Sequence, residues 1–156
     1  EVVTPAGEIW NGLRGLRTLG VRLTRQSATA DRLAHELLGH GEVSEVLYPG
    51  LPSFPQAELA KRQMDLCGGL LTIELEGGLE AGRRFVESTR IARLAPSLGG
   101  PETLVTHPAS TTHVSLFPEE QVAAGIGPGT VRISVGLEHP DDLVADILAA
   151  LDACRN

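Results

Sequence analysis

Rings are scarce in this chain. One Trp, one Tyr and three Phe make an aromatic share of 3% over 156 residues. Leu, Val, Ile and Ala must fill whatever core forms, and few π-faces remain to stack on bases or sugars. The formal net charge of -7 repels a phosphate backbone, so nucleic acid is not an expected partner. Long apolar runs are missing too. None approaches the ~20 residues that span a bilayer, and the first residues lack the charged-then-apolar layout of a secretory signal. A membrane is therefore not an expected partner, and the cytoplasm is the expected compartment.

Cysteine is limited to Cys67 and Cys154, far apart and in no CxxC pair, which favours small packing residues over a disulfide or zinc site. The five histidines, His35, His40, His107, His113 and His139, form neither HExxH nor an i, i+4 pair, so no metal is expected. No Gly-x-Ser-x-Gly elbow and no Walker loop occurs. Lysine is the sharpest shortage: twelve arginines stand against a single lysine, Lys61. Any lysine Schiff base must use Lys61 or a lysine from outside these residues. Lys61 falls at the polar end of a predicted helix, where a solvated cation is the ordinary reading.

What is present suits one core of moderate size: 42% hydrophobic residues, no repeat and no low-complexity tract. Leu13, Leu16, Leu19 and Leu23, then Leu33, Ala34, Leu37 and Leu38, recur at helical spacing. They predict a long helix over the first forty residues, bent near Gly20 and stopped by Gly39 and Gly41. Residues 43–48 read as a strand, and Pro49-Gly50-Leu51-Pro52 as a sharp turn. Ser53 and Gln56 have capping-box spacing, which predicts a helix over 54–64. Leu71, Ile73 and Leu75 alternate with polar residues in a strand broken at Gly77-Gly78.

A helix through Leu79, Gly82, Val86 and Thr89 follows, then strands at 91–95 and 103–106. The segment 107–113 reads as a polar loop, and Pro118 opens a short helix that Gly125 ends. Gly125-Ile126-Gly127-Pro128-Gly129 precedes a strand instead of opening a helix, so it reads as a turn and not a phosphate cradle. The last helix starts at Pro140 and buries Leu143, Ile147, Leu151 and Cys154. Helices and strands mix without a strict βαβ rhythm. The expected fold is α+β, a small and mostly antiparallel sheet with helices packed on it.

One residue stands out against this pattern. In Gly129-Thr130-Val131-Arg132-Ile133-Ser134-Val135-Gly136, Val131, Ile133 and Val135 share one face, and Arg132 is the only charge, flanked on its own face by Thr130 and Ser134. A guanidinium so placed either joins an internal acid or snorkels to the surface, or its planar fork awaits a carboxylate or phosphate. Two loops could help to hold such an anion, Ser97-Leu98-Gly99-Gly100 and Ser110-Thr111-Thr112-His113. Taken alone, each is equally an ordinary Ser/Gly turn.

Read in order, several segments resemble one family. They are Tyr48-Pro49-Gly50-Leu51-Pro52-Ser53-Phe54-Pro55-Gln56, Gly68-Gly69, Ser97-Leu98-Gly99-Gly100, residues 107–113 and residues 131–138. Residues 12–19, Gly-Leu-Arg-Gly-Leu-Arg-Thr-Leu, add to the set. Together they are similar to the C-terminal part of the Cys/Met-metabolism enzymes that depend on pyridoxal phosphate (PLP), a family that includes methionine γ-lyase, the cystathionine γ-lyases and γ-synthases, and O-acetylhomoserine sulfhydrylase.

The resemblance implies a fold-type I enzyme of trans-sulfuration type. Residues 1–156 would be the single C-terminal domain that closes over the substrate, and residues 1–40 its linking helix. The PLP-binding large domain and its Schiff-base lysine would lie outside the chain, which alone would neither bind PLP covalently nor turn over. It further implies that Arg132 grips the substrate α-carboxylate, with Ser97, Leu98 and Thr112 at the substrate and Ser97 also near the cofactor. The implied partners are the chain's own PLP-binding domain, a small amino acid, and sister subunits of a homotetramer. Pro96 stands before the serine where an acidic residue could meet a second amino group. This favours a sulfur amino acid with an uncharged tail, hence a methionine γ-lyase-like activity. Residues 108–113 and Glu138-His139 keep a sulfhydrylase or a cystathionine enzyme as alternatives. From another class, a docking or scaffold module that has lost its catalytic partner also remains.

Overall fold

A computed structural model describes residues 5–155. The sequence reading of residues 1–4 lies outside the described part. Six α-helices and five strands follow in the order α1 (Ala6–Leu16), α2 (Leu19–Leu37), β1 (Val43–Leu47), α3 (Ala57–Gln63), β2 (Leu70–Leu75), α4 (Gly78–Ser88), β3 (Arg93–Leu94), β4 (Leu104–Thr106), α5 (Pro118–Ala123), β5 (Thr130–Ser134) and α6 (Pro140–Asp152). The strands form one sheet in the order β1-β2-β5-β4-β3, antiparallel except for the parallel β3–β4 pair. This is the α+β sheet expected.

β5 occupies the middle of the sheet because both of its faces suit enclosure. Val131 and Ile133 are fully buried on one side, and Thr130 and Ser134 are buried on the other. The first pair joins Leu71, Ile73, Leu75 and Val105 in the core, under Leu33 and Leu37 of α2, Phe85 of α4 and Leu143, Ile147 and Leu151 of α6. The opposite face of the sheet is polar. Its central row is Thr72, Arg132 and Thr106, which face one another across three strands.

Several local expectations change. The arm before the core is two helices, with the break at Arg17 and Thr18 instead of Gly20. The Arg22 guanidinium reaches back to the Gly15 carbonyl and to Thr18, satisfying groups that the break leaves open. The capping box at Ser53 does not form, and α3 starts only at Ala57. Pro52 and Pro55 keep their preceding residues out of the helical region, and the backbone closes turns instead, from Leu51 to Tyr48 and from Phe54 to Leu51.

α4 buries Gly82 and Val86 as the spacing predicts, but its buried face extends to the other side. Leu79 is exposed while Ala81 and Phe85 are buried, because the large ring wins the core position. β3 is two residues long where five were expected. The buried carboxylate of Asp146 in α6 takes the N–H groups of Arg90, Ile91 and Ala92 at 2.8 to 3.0 Å, so those donors are lost to any ladder.

His107, read as part of a polar loop, is fully buried. Its Nε2 donates to the Pro128 carbonyl at 2.8 Å, and its Nδ1 meets the Ser110 hydroxyl at 2.7 Å, within a short 3-10 turn over Pro108–Ser110. Gly82 makes room for that ring, since a Cβ there would fall on it. Both cysteines are free. Cys154 is buried, Cys67 packs at the edge of the core, and burial pushes the Cys154 thiol up. No described helix is long and apolar enough to cross a membrane.

Candidate functional site

Arg132 leaves the polar face of the sheet near its middle and is half-buried. Its Nη2 donates to the carbonyls of Pro96 and Ser97, each at 2.9 Å, and to Thr106 Oγ1 at 3.3 Å. Thr106 Oγ1 in turn donates to the Ala95 carbonyl at 2.6 Å, which fixes its lone pairs toward the arginine. Nε is buried without a partner. Among the described residues no carboxylate forms an ion pair with this guanidinium. Two acids share that face: Glu45, on the edge strand opposite Glu74, and Glu74 itself, which is committed to the Gly129 N–H and the Thr130 hydroxyl. The internal acid partner that spacing alone allowed is thus absent.

A half-exposed cation held by neutral oxygens, with one donor desolvated and unused, has no acid to offset its charge. An anion reaching it would offset that cost. Two of the arginine's partners, Pro96 and Thr106, also line a small recess of about 310 Å³ together with Leu94, Ala95, Thr111 and Thr112. None of these side chains is ionisable. The arrangement can hold a small anion at the arginine while an uncharged group lies against Leu94, Pro96 and the threonine methyls.

The other expected site residues fall around this recess in different ways. Ser97 is exposed and meets Arg132 through its backbone carbonyl instead of its hydroxyl. Leu98 is exposed at the lip of the same loop. Thr112 lines the recess, with its hydroxyl 2.9 Å from His113 Nδ1. Thr106 was missed from sequence. It matters because it lies opposite Arg132 in register, and register is not visible in a single strand.

Lys61 lies elsewhere, on α3, with its ammonium 2.8 Å from Glu58. That pairing holds the Glu58 carboxyl below the usual range. No group of His, Cys, Asp and Glu fit to hold a metal occurs among the described residues.

Residues 2–152 match the family described as Cys/Met metabolism PLP-dependent enzyme. The chain belongs to that family. L-methionine gamma-lyase of Treponema denticola is 48% identical over 139 residues, covering 89% of this chain and 35% of that enzyme. Cystathionine gamma-synthase 1, chloroplastic, of Arabidopsis thaliana is 46% identical over 141 residues, covering 90% of this chain and 25% of that protein. The solved structure of cystathionine gamma synthase from Xanthomonas oryzae pv. oryzae, in complex with aminoacrylate and cysteine, superposes with a TM-score of 0.85 at 46% identity. It covers 91% of this chain and 37% of that one. The chain therefore spans about a third or less of the length of these relatives.

The family is one of PLP-dependent enzymes, and these relatives are a γ-lyase and γ-synthases. The groups gathered at Arg132 are a cation, a hydroxyl and backbone carbonyls. They do not fit a covalent anchor for PLP, because the one lysine of the chain is engaged on the exposed face of α3.

Proposed function

We propose that residues 1–156 are the substrate-closing C-terminal domain of a PLP-dependent carbon–sulfur lyase of the methionine γ-lyase kind, and that Arg132 holds the substrate α-carboxylate. The observation that carries this reading is a guanidinium with neutral partners and no acid, two of those partners, Pro96 and Thr106, lining an uncharged recess. Charge-assisted bonds from an arginine to a carboxylate are stronger than those it makes to carbonyls, so a substrate carboxylate displaces part of the resting network. Holding the carboxylate fixes the direction of the bonds at the neighbouring carbon, which is a positioning contribution. Ser97 and Leu98 carry the rim over which the substrate enters, and Thr112 borders its side chain. Ser97 would also help to hold the cofactor that the rest of the enzyme supplies.

Pro96 supports an uncharged tail, because it offers no acid to a second ammonium group and its carbonyl already serves Arg132. The PLP anchor and the remainder of the family's length belong to the chain's partner domain. Residues 1–40 link to it, and the isolated segment is inactive and binds no PLP covalently.

The test is turnover by the intact protein of methionine, cysteine and cystathionine, following α-keto acid and thiol. Methionine is the expected substrate. Arg132→Ala should lower kcat/KM by about a hundredfold, in line with ~3 kcal/mol for a charged hydrogen-bonded pair. Unchanged kcat and KM in that variant would refute the role.

A further inference from the structure

The loop that orients Arg132 is itself held from a second side. Its first two carbonyls, on Pro96 and Ser97, receive the arginine. Its far end is fixed by two buried side chains. Ser134 Oγ accepts the Gly99 N–H at 2.9 Å, and Gln26 Nε2 donates to the Gly100 carbonyl at 2.7 Å. Residues 96–99 are otherwise exposed, so these bonds carry the loop's position. Gly99 has φ +75, a conformation that glycine tolerates and that turns its N–H toward Ser134.

Gln26 is 5% exposed and opens the buried face of α2, which continues through Ser27 and Thr29 to Ala30, Leu33 and Leu37; unlike the Ser27 and Thr29 hydroxyls, its amide has a partner. It is also the first buried residue of α2, where the exposed arm enters the body. Gly69 permits this close approach, since a Cβ there would lie 3.1 Å from Gln26 Cβ. A buried carboxamide spent on one loop carbonyl, 74 residues away in sequence, sets that loop against α2.

We infer that Gln26 is a positioning residue for substrate binding: it seats residues 96–100 so that their carbonyls aim the Arg132 guanidinium. This rests on the carboxylate reading of Arg132. Loss of the bond lets the loop and the guanidinium sample more orientations, which weakens ground-state and transition-state binding alike. The chemistry itself is untouched.

The experiment compares Gln26→Met, which keeps length and apolar packing, and Gln26→Glu, which sets an acceptor against the Gly100 carbonyl, with the unaltered intact protein. Amide hydrogen exchange at Gly99, whose N–H is held by Ser134, should speed by about tenfold, the size of one lost hydrogen bond, while Ile133 on β5 exchanges as before. KM for the amino acid should rise by about tenfold with kcat within twofold. Unchanged exchange at Gly99 overturns the inference. So does faster exchange with an unchanged KM when Arg132→Ala raises it. If Arg132→Ala also leaves KM unchanged, the carboxylate reading fails, and the exchange result alone still decides whether Gln26 seats the loop.

Discussion

Two stretches of helix in this chain carry equally regular apolar faces, and only one of them is buried. From Gln26 onward α2 packs on the sheet, with Ala30, Leu33, Ala34 and Leu37 fully covered. Before that point Ile9, Trp10, Leu13, Leu16, Leu19 and Leu23 all stand in the open, and α1 buries nothing. Periodicity is the same on both sides of the junction. What differs is the presence of a surface to pack against, so an amphipathic pattern reports that a helix is meant to be covered without saying by what. The arm is held by local devices alone, such as Arg17 stacked 5.8 Å above the Trp10 ring.

The contrast can be broken most directly by emptying each side. Phe85→Ala should cost about 3–5 kcal/mol in urea unfolding of this chain, because the ring is fully buried. Trp10→Ala should stay within about 0.5 kcal/mol, and a larger loss would mean that the arm has a partner within these residues. Asp146→Ala should follow at about 2–3 kcal/mol, since it strands three backbone donors that no strand receives. The protecting effect should be confined to the body, with faster exchange at residues 90–92 and none in α1.

The smallest effect sits at the seam. Tyr48 donates to the carbonyls of Ser27 in α2, at 3.3 Å, and of Gly68, at 3.0 Å, and burial raises its phenol well above its ordinary value of 10.0. A raised folded-state pKa means that the native state keeps a proton the unfolded chain loses. Its contribution is therefore complete below pH 10.0 and declines as pH rises beyond it. Chemical denaturation between neutral and strongly alkaline pH should show a shallower alkaline decline in Tyr48→Phe than in the unaltered chain.

Much of this architecture was legible because period and punctuation agree locally. β1, β2, β5 and α6 fall where alternation, glycine and Pro140 put them. The misreadings share a cause. Of the α4 positions read from spacing, Gly82 and Val86 are buried, but packing leaves Leu79 exposed and gives the core to Phe85. The strand at 91–95 is shortened by an acid more than fifty residues away.

The site divides in the same manner. Arg132 stood out as a lone charge among apolar residues, and the resemblance named Ser97, Leu98 and Thr112 around it. That Ser97 acts through its carbonyl, that Thr106 completes the cradle and that Gln26 seats the loop all depend on register and docking, which leave no local mark.

The order of the strands sets a timetable for synthesis. β5 lies between β2 and β4, yet it is the last strand to be made, and the residues it pairs with in β2 precede it by about sixty positions. Until it arrives, β2 has an open edge beside Leu71 and Ile73, with no α6 to shield the layer above. Non-local pairing of this kind closes slowly, and an open apolar edge invites other chains. The strand that carries Arg132 is thus also the closing piece of the sheet, and a nascent chain interrupted before Thr130 would present an adhesive half-sheet instead of a partial site.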